Sequence, residues 1–190
     1  MGRNTVTYTV TDAAGNTSTA SRSVYVYMKQ AVANPVNPGN KVVYLTFDDG
    51  PFKYTGRLLD ILDKYGVKAT FFVTNQFPAY QHMIGETHRR GHTIALHTYT
   101  HNYANIYSSE DAYYNDLALI HNLCVSQTGV TPTIVRFPGG TNNTVSRSYC
   151  SGIMTALSQS LSYHGYLYSD WNVSSGDAGG TTSKDQVVAN

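Results

Sequence analysis

Two adjacent carboxylates stand in the run Thr46-Phe47-Asp48-Asp49-Gly50-Pro51, and two imidazoles stand in His97-Thr98-Tyr99-Thr100-His101. One carboxylate with two imidazoles is a mixed oxygen and nitrogen donor set that leaves positions open for water and substrate. Such openness marks a catalytic rather than a structural metal. A single helical turn would bring His97 and His101 onto one face, with about 5–6 Å between their Cβ atoms. Arg136, in Arg136-Phe137-Pro138-Gly139-Gly140, sits among the apolar residues Ile134, Val135 and Phe137, where an unpaired guanidinium is expensive. Asp48 is an available counterion, and the pair would keep that carboxylate ionised and oriented. Each feature also has a plainer reading. Asp-Asp-Gly turns cap helices, paired histidines occur on surfaces and in cores, and Arg136 with Asp48 would equally make a structural ion pair. Trp171, in Tyr168-Ser169-Asp170-Trp171, suits either the core or a sugar face. Position favours chemistry, because these runs all follow strand-like segments and so reach one sheet edge, where α/β proteins place their sites. The combined reading is metal-dependent hydrolysis. A glycosidase built on Asp48 and Asp49 fits poorly. Neighbours on a strand face opposite ways, whereas such enzymes need two carboxyls about 5–9.5 Å apart across one bond.

The elements that must position these residues alternate. A buried strand is expected over Lys41-Val42-Val43-Tyr44-Leu45, leading into Asp48, and Gly50-Pro51 then turns the chain. A helix is predicted over 56–65, with Leu58, Ile61, Leu62 and Tyr65 on one face and Gly66 as its stop. A strand over 69–73, a helix over 80–90 ending at Gly91, and a strand over 93–96 lead to His97. Ser108-Ser109-Glu110-Asp111 starts a helix whose apolar series is Tyr113, Leu117, Ile120 and Cys124 and whose stop is Gly129. A strand over 134–137, a helix over 145–159, a strand over 166–171 and a helix begun at Lys184 complete the pattern. Repeated β-then-α units imply a parallel sheet or barrel, here with too few strands to close one.

Residues 1–29 read differently. Val6, Tyr8 and Val10, a turn through Asp12-Ala13-Ala14-Gly15-Asn16, and then Val24 and Val26 make a β-hairpin pattern. A lone hairpin buries no core. Thr5 to Asn16 resembles the closing hairpin of bacterial immunoglobulin-like surface repeats, which makes 1–29 the expected end of such a sandwich. Residues 30–40, rich in Asn and Pro, read as a linker, and residues 41–190 as the second domain.

Of 190 residues, 41% are hydrophobic, enough for a core, while only 13% are charged. With Tyr at 16 residues, that balance fits an extracellular protein facing a neutral, hydroxyl-rich polymer. A net charge of +1 gives no support for nucleic acid or an anionic membrane as partner. No apolar run approaches the roughly 20 residues of a membrane span, and no signal peptide is visible. Cys124 and Cys150 match no metal or redox spacing; a disulfide or two free thiols are both open.

Taken together, Thr46–Pro51, His97–His101, Arg136–Gly140 and Asp170-Trp171 resemble, in order and interval, the successive motifs of the polysaccharide deacetylases, the NodB-homology domain of carbohydrate esterase family four. The resemblance implies a distorted, here C-terminally incomplete, (β/α) barrel binding one divalent cation, zinc or cobalt. It assigns Asp49, His97 and His101 as metal ligands, Asp48 as the base that activates water, and Arg136 as the group that orients that base. Asp170 would support a catalytic histidine, and Tyr99, Pro138, Gly139 and Trp171 would line the substrate groove. A backbone N–H, that of Tyr99 or one near Gly139-Gly140, would assist the carbonyl oxygen. The family's last motif, Leu-x-His, is not found after Trp171, which implies truncation and slow turnover. The implied reaction removes N-acetyl groups from N-acetylglucosamine units. Arg136 to Asn143 resembles the peptidoglycan branch, with chitin oligomers or acetylated xylan as alternatives. A monomeric, extracellular or cell-surface bacterial enzyme is expected, or a carbohydrate-binding homologue with little turnover.

Overall fold

The computed structural model describes residues 2–26, 42–179 and 183–189; the linker expected at 30–40 lies outside them. Strands β1 (Gly2–Thr11) and β2 (Thr17–Val26) form the expected antiparallel hairpin. Asp12 organises its turn by accepting the N–H groups of Ala14 and Asn16, each at 2.9 Å. The outward residues Val6, Tyr8 and Val10 are exposed.

The second unit is a parallel sheet of β3 (Thr46–Asp48), β4 (Thr70–Val73), β5 (Thr93–Leu96), β6 (Ile134–Val135) and β7 (Leu167–Tyr168), in that spatial order. Strand order never reverses, so every crossover winds the same way around the sheet, as in a barrel. The sheet stays open between its edges, β3 and β7. Helices α1 (Thr55–Lys64), α2 (Met83–Arg89), α3 (Tyr103–Ile106), α4 (Glu110–Thr128) and α5 (Ile153–Ser160) fall in the connections, and α6 (Lys184–Ala189) follows β7.

Helix α4 shows why these residues fold as they do. The Ser109 hydroxyl accepts the Ala112 N–H at 3.1 Å, and Gly129 ends the helix in the left-handed region at φ 71°. Its buried stripe, Tyr113, Leu117, Ile120 and Cys124, keeps the period of a helix face. Each such side chain contributes about 1.5–3 kcal/mol through burial. The core continues through Leu59, Phe71, Leu96, Val135, Phe137 and Leu157.

Two expectations are corrected, and the cysteine alternative is decided. Val42 to Leu45 form no strand, and Val43 is 87% exposed. Strand β4 begins at Thr70, opposite Thr46, and its first N–H reaches back only to the Leu45 carbonyl at 3.0 Å, so the chain before Leu45 has no ladder to join. The helix expected over 145–159 is broken into a short 3-10 turn, Val145–Ser148, and α5, because Gly152 takes φ 79° between them. Cys124 and Cys150 are free thiols, and burial pushes Cys124 up to about 12.

His92 is buried, and its Nδ1 accepts the Ala69 N–H at 3.2 Å. That bond requires a neutral imidazole, and burial lowers its pKa. The unfolded chain therefore binds a proton near pH 6.5 that the folded chain refuses, and stability is lost as pH falls below that value. Thermal melts should show Tm falling from pH 7 to pH 5, with a shallower fall in His92→Gln.

Candidate active site

The site lies at the carboxyl ends of the strands, and the sheet ladder runs on past each strand to hold it. The N–H groups of His97, Arg136 and Ser169 donate to the carbonyls of Val73, Leu96 and Val135, each at 2.9 Å. Asp48 ends β3 and Asp49 turns out of it at φ 68°. Thr74, after β4, donates its N–H to the Gly50 carbonyl at 2.7 Å and its hydroxyl to the Asp49 carbonyl at 3.1 Å. The Asn75 N–H donates to the Tyr99 carbonyl at 2.9 Å, tying the histidine loop to the same strand end.

His97 and His101 do come together, though not on a helical turn. Thr98 at φ 69° and His101 at φ 53° bend the loop between β5 and α3. With Asp49, they are the non-glycine residues of positive φ among the described residues, and all belong to this one constellation. Such backbone costs of order 1–3 kcal/mol per residue and persists where surroundings over-determine it. Asp116 supplies part of that constraint. Its buried carboxylate accepts the N–H of Tyr99 at 2.5 Å, the N–H of Thr100 at 3.2 Å and the Thr100 hydroxyl at 2.6 Å. Tyr99 therefore spends its N–H on Asp116, whereas the Gly139 N–H donates to no acceptor among the described residues.

The donor set fits a divalent cation. Asp49 Oδ1 lies 3.5 Å from His97 Nε2 and 3.2 Å from His101 Nε2, and one ligand atom from each residue falls within 4.8 Å of the others. Two ligands each about 2.1 Å from a common zinc stand roughly 3.4 Å apart at the tetrahedral angle. His97 Nδ1 lies 2.7 Å from the Arg136 carbonyl, so it donates there and turns the Nε2 lone pair towards Asp49. Burial pulls the His97 imidazole down to about 4, against the opposing pull of Asp49, which keeps that lone pair free of a proton.

Arg136 closes the mouth of the open sheet. Buried itself, it donates from Nη1 to Asp48 Oδ1 at 2.8 Å and to Thr46 Oγ1 at 2.9 Å, both on edge strand β3. From Nε and Nη2 it reaches the carbonyls of Ser169 and Asp170, just past the other edge, at 2.8 and 3.1 Å. Its guanidinium carbon lies 3.9 Å from the centre of the Phe72 ring and 5.6 Å from that of Trp171. Burial lifts the Asp48 carboxyl above the ordinary carboxylate value, and Arg136 draws it back down.

The remaining expected residues line the same rim. The Pro138 carbonyl accepts the buried Tyr107 hydroxyl at 2.7 Å. Asp170 accepts the Thr141 hydroxyl, and the Thr141 N–H at 3.2 Å, so its carboxylate braces the loop after Pro138. Trp171 is 46% exposed beside Gly140, where a Cβ would stand 3.2 Å from its ring. Gly139 has φ 78°, and a Cβ there would stand 2.7 Å from the Tyr103 hydroxyl oxygen. Gly139→Ala should therefore lose more stability in urea unfolding than the about 1–2 kcal/mol backbone penalty alone. Gly165→Ala, also at positive φ but in open space, should lose only that penalty. Sequence reasoning missed Asp116, Thr46, Thr74 and Thr141. Asp116 left a signal: a carboxylate inside the apolar stripe of a helix, one position before Leu117.

Residues 36–152 match the profile of a protein family described as polysaccharide deacetylase. A peptidoglycan-N-acetylglucosamine deacetylase of Bacillus cereus is 33% identical over 72% of this chain and 47% of its own length. The chain spans about half the length of the curated relatives it matches. Among solved structures, the catalytic domain of a peptidoglycan N-acetylglucosamine deacetylase from Eubacterium rectale is 58% identical. It superposes with a TM-score of 0.82, covering 84% of this chain and 73% of that one. The polysaccharide deacetylase Bc1974 from Bacillus cereus is 30% identical, with a TM-score of 0.64 over 79% of this chain and 69% of its own.

Proposed function

The chain belongs to the polysaccharide deacetylase family, and on that premise we propose that it removes the acetyl group from N-acetylglucosamine units of peptidoglycan. The observation that carries this reading is the pairing of Asp48 with Arg136 beside the Asp49, His97 and His101 cluster. These three residues would hold one divalent cation, zinc ahead of cobalt, given their nitrogen and oxygen donors. When bound, such a cation supplies Lewis acidity and lowers the pKa of its water towards about 7.

The chain's own residues do the rest. Asp48, kept ionised by Arg136, takes the proton of the attacking water. Arg136 fixes that carboxylate from one side and the β7 end from the other, so base and groove wall keep one spacing. Trp171 and the Pro138-Gly139 turn form the wall against which the sugar rests, and Asp170 holds that turn through Thr141. The Gly139 N–H is the backbone donor left for the carbonyl oxygen. The proton that Asp48 takes from the water balances the one the leaving amine must gain. Peptidoglycan, the substrate named for these relatives, lies outside the cytoplasm, which supports reading this as a cell-surface bacterial enzyme; we take it to act as a monomer. The hairpin of β1 and β2 is read as part of an immunoglobulin-like unit, in which Val6, Tyr8 and Val10, exposed here, would share one covered face.

Acetate released from purified peptidoglycan, from N-acetylglucosamine oligomers and from acetylated xylan tests the reading. Release from peptidoglycan should exceed release from xylan. A preference for xylan would move the chain to ester substrates, and no release from any of them would overturn the assignment.

A further inference from the structure

Four aromatic rings outside the core gather on the two loops that leave β3 and β4. Phe52 is their hub, with ring centres 4.3 Å from Phe77, 5.8 Å from Tyr80 and 6.0 Å from Tyr54. None of the four belongs to the hydrophobic core or to the half-buried shell packed on it. Tyr54 is 62% exposed and Phe77 39% exposed. The Lys53 ammonium lies 4.8 Å from the Tyr54 ring centre and 5.3 Å from that of Phe52, and it makes no ion pair among the described residues. Core packing therefore does not account for these rings, and an exposed apolar patch of this kind marks a binding surface.

Their place says what would bind. Phe52 is three residues past Asp49, so its Cα lies within about 11 Å of the Asp49 Cα even at full chain extension. Phe77 follows Thr74 and Asn75, which tie β4 to Asp49 and to the histidine loop. A polymer with one acetamide at Asp49 extends beyond that carboxylate, and the two loops that carry the cluster leave the sheet beside it. Pyranose rings present flat C–H faces that stack on aromatic rings, and a solvent-facing ammonium beside them suits sugar hydroxyls.

We infer that Phe52, Tyr54, Phe77 and Tyr80 form a second sugar site, holding a neighbouring unit of the same glycan while its partner lies at Asp49. The inference rests on the deacetylase reading for its ligand, but binding is measured apart from turnover. The probes are the β-1,4-linked N-acetylglucosamine tetramer and the single sugar, titrated calorimetrically into wild type, Tyr54→Ala and Phe77→Ala. Because Tyr54 is largely exposed, its variant tests the site even if Phe77→Ala folds poorly. Each variant should weaken the tetramer about five- to tenfold, the usual worth of an aromatic contact. The single sugar should change far less, so the preference for the tetramer shrinks. Unchanged tetramer affinity in both variants, or equal losses on tetramer and single sugar, would overturn the second site. If ring variants lose the tetramer while wild type releases no acetate, the second site stands and the deacetylase reading falls. If acetate is released but the rings do not affect the tetramer, the reverse holds.

Discussion

Asp48→Asn is expected to keep its cation and lose its reaction, with acetate release falling by about 10²–10⁴, the usual worth of a positioned base. Asparagine has nearly the same shape, and its carbonyl oxygen can still accept the Arg136 Nη1 bond made at 2.8 Å. Packing and groove geometry should survive, so the loss reports chemistry and not folding. Asp49, His97 and His101 are untouched, and elemental analysis should find as much metal as in wild type. A loss smaller than about tenfold would place the base elsewhere.

Arg136→Met should be the most damaging single change to fold and activity together. The guanidinium holds four partners on both edges of the open sheet. Removing one member of a buried pair costs about 3–5 kcal/mol, because the other charge is left without compensation. Here the carbonyls of Ser169 and Asp170 also lose their donor, so the end of β7 should loosen from the rim. A second consequence concerns pH. Burial already raises the Asp48 carboxyl, and Arg136 is the opposing influence. Without it the base stays protonated to higher pH, so the acid limb of the activity profile should move upward. Arg136→Lys keeps a charge but not the four-way fork, and should recover the pH profile better than the stability. Urea unfolding and a pH–rate profile on both variants check these outcomes.

Much of this arrangement was legible in the residues, for reasons that particular elements make plain. Helix α4 announced itself because Ser109, the Tyr113 to Cys124 period and Gly129 all give the same answer. The Asp48–Arg136 pair was legible because a guanidinium inside an apolar strand demands a counterion. Other features depend on long-range partners that no local pattern encodes. Val42 to Leu45 look like a strand, yet whether they pair is decided by where β4 begins. His97 and His101 converge as expected, but through left-handed residues at 98 and 101, which spacing alone does not distinguish from a helical turn. The apolar period over 145–159 hid the break at Gly152. Arg136 reaching both sheet edges could not be read at all, because it depends on how far the open sheet curls.

The central claim is that Asp49, His97 and His101 share one cation, and metal content per chain tests it most directly. Purified wild type and Asp49→Ala would be dialysed side by side and measured by elemental analysis. Wild type should carry one divalent ion per chain, zinc foremost, and Asp49→Ala should lose most of it, because a donor set cut to two imidazoles binds far more weakly. Equal metal in the two proteins, or none in wild type after loading with zinc, would contradict the account.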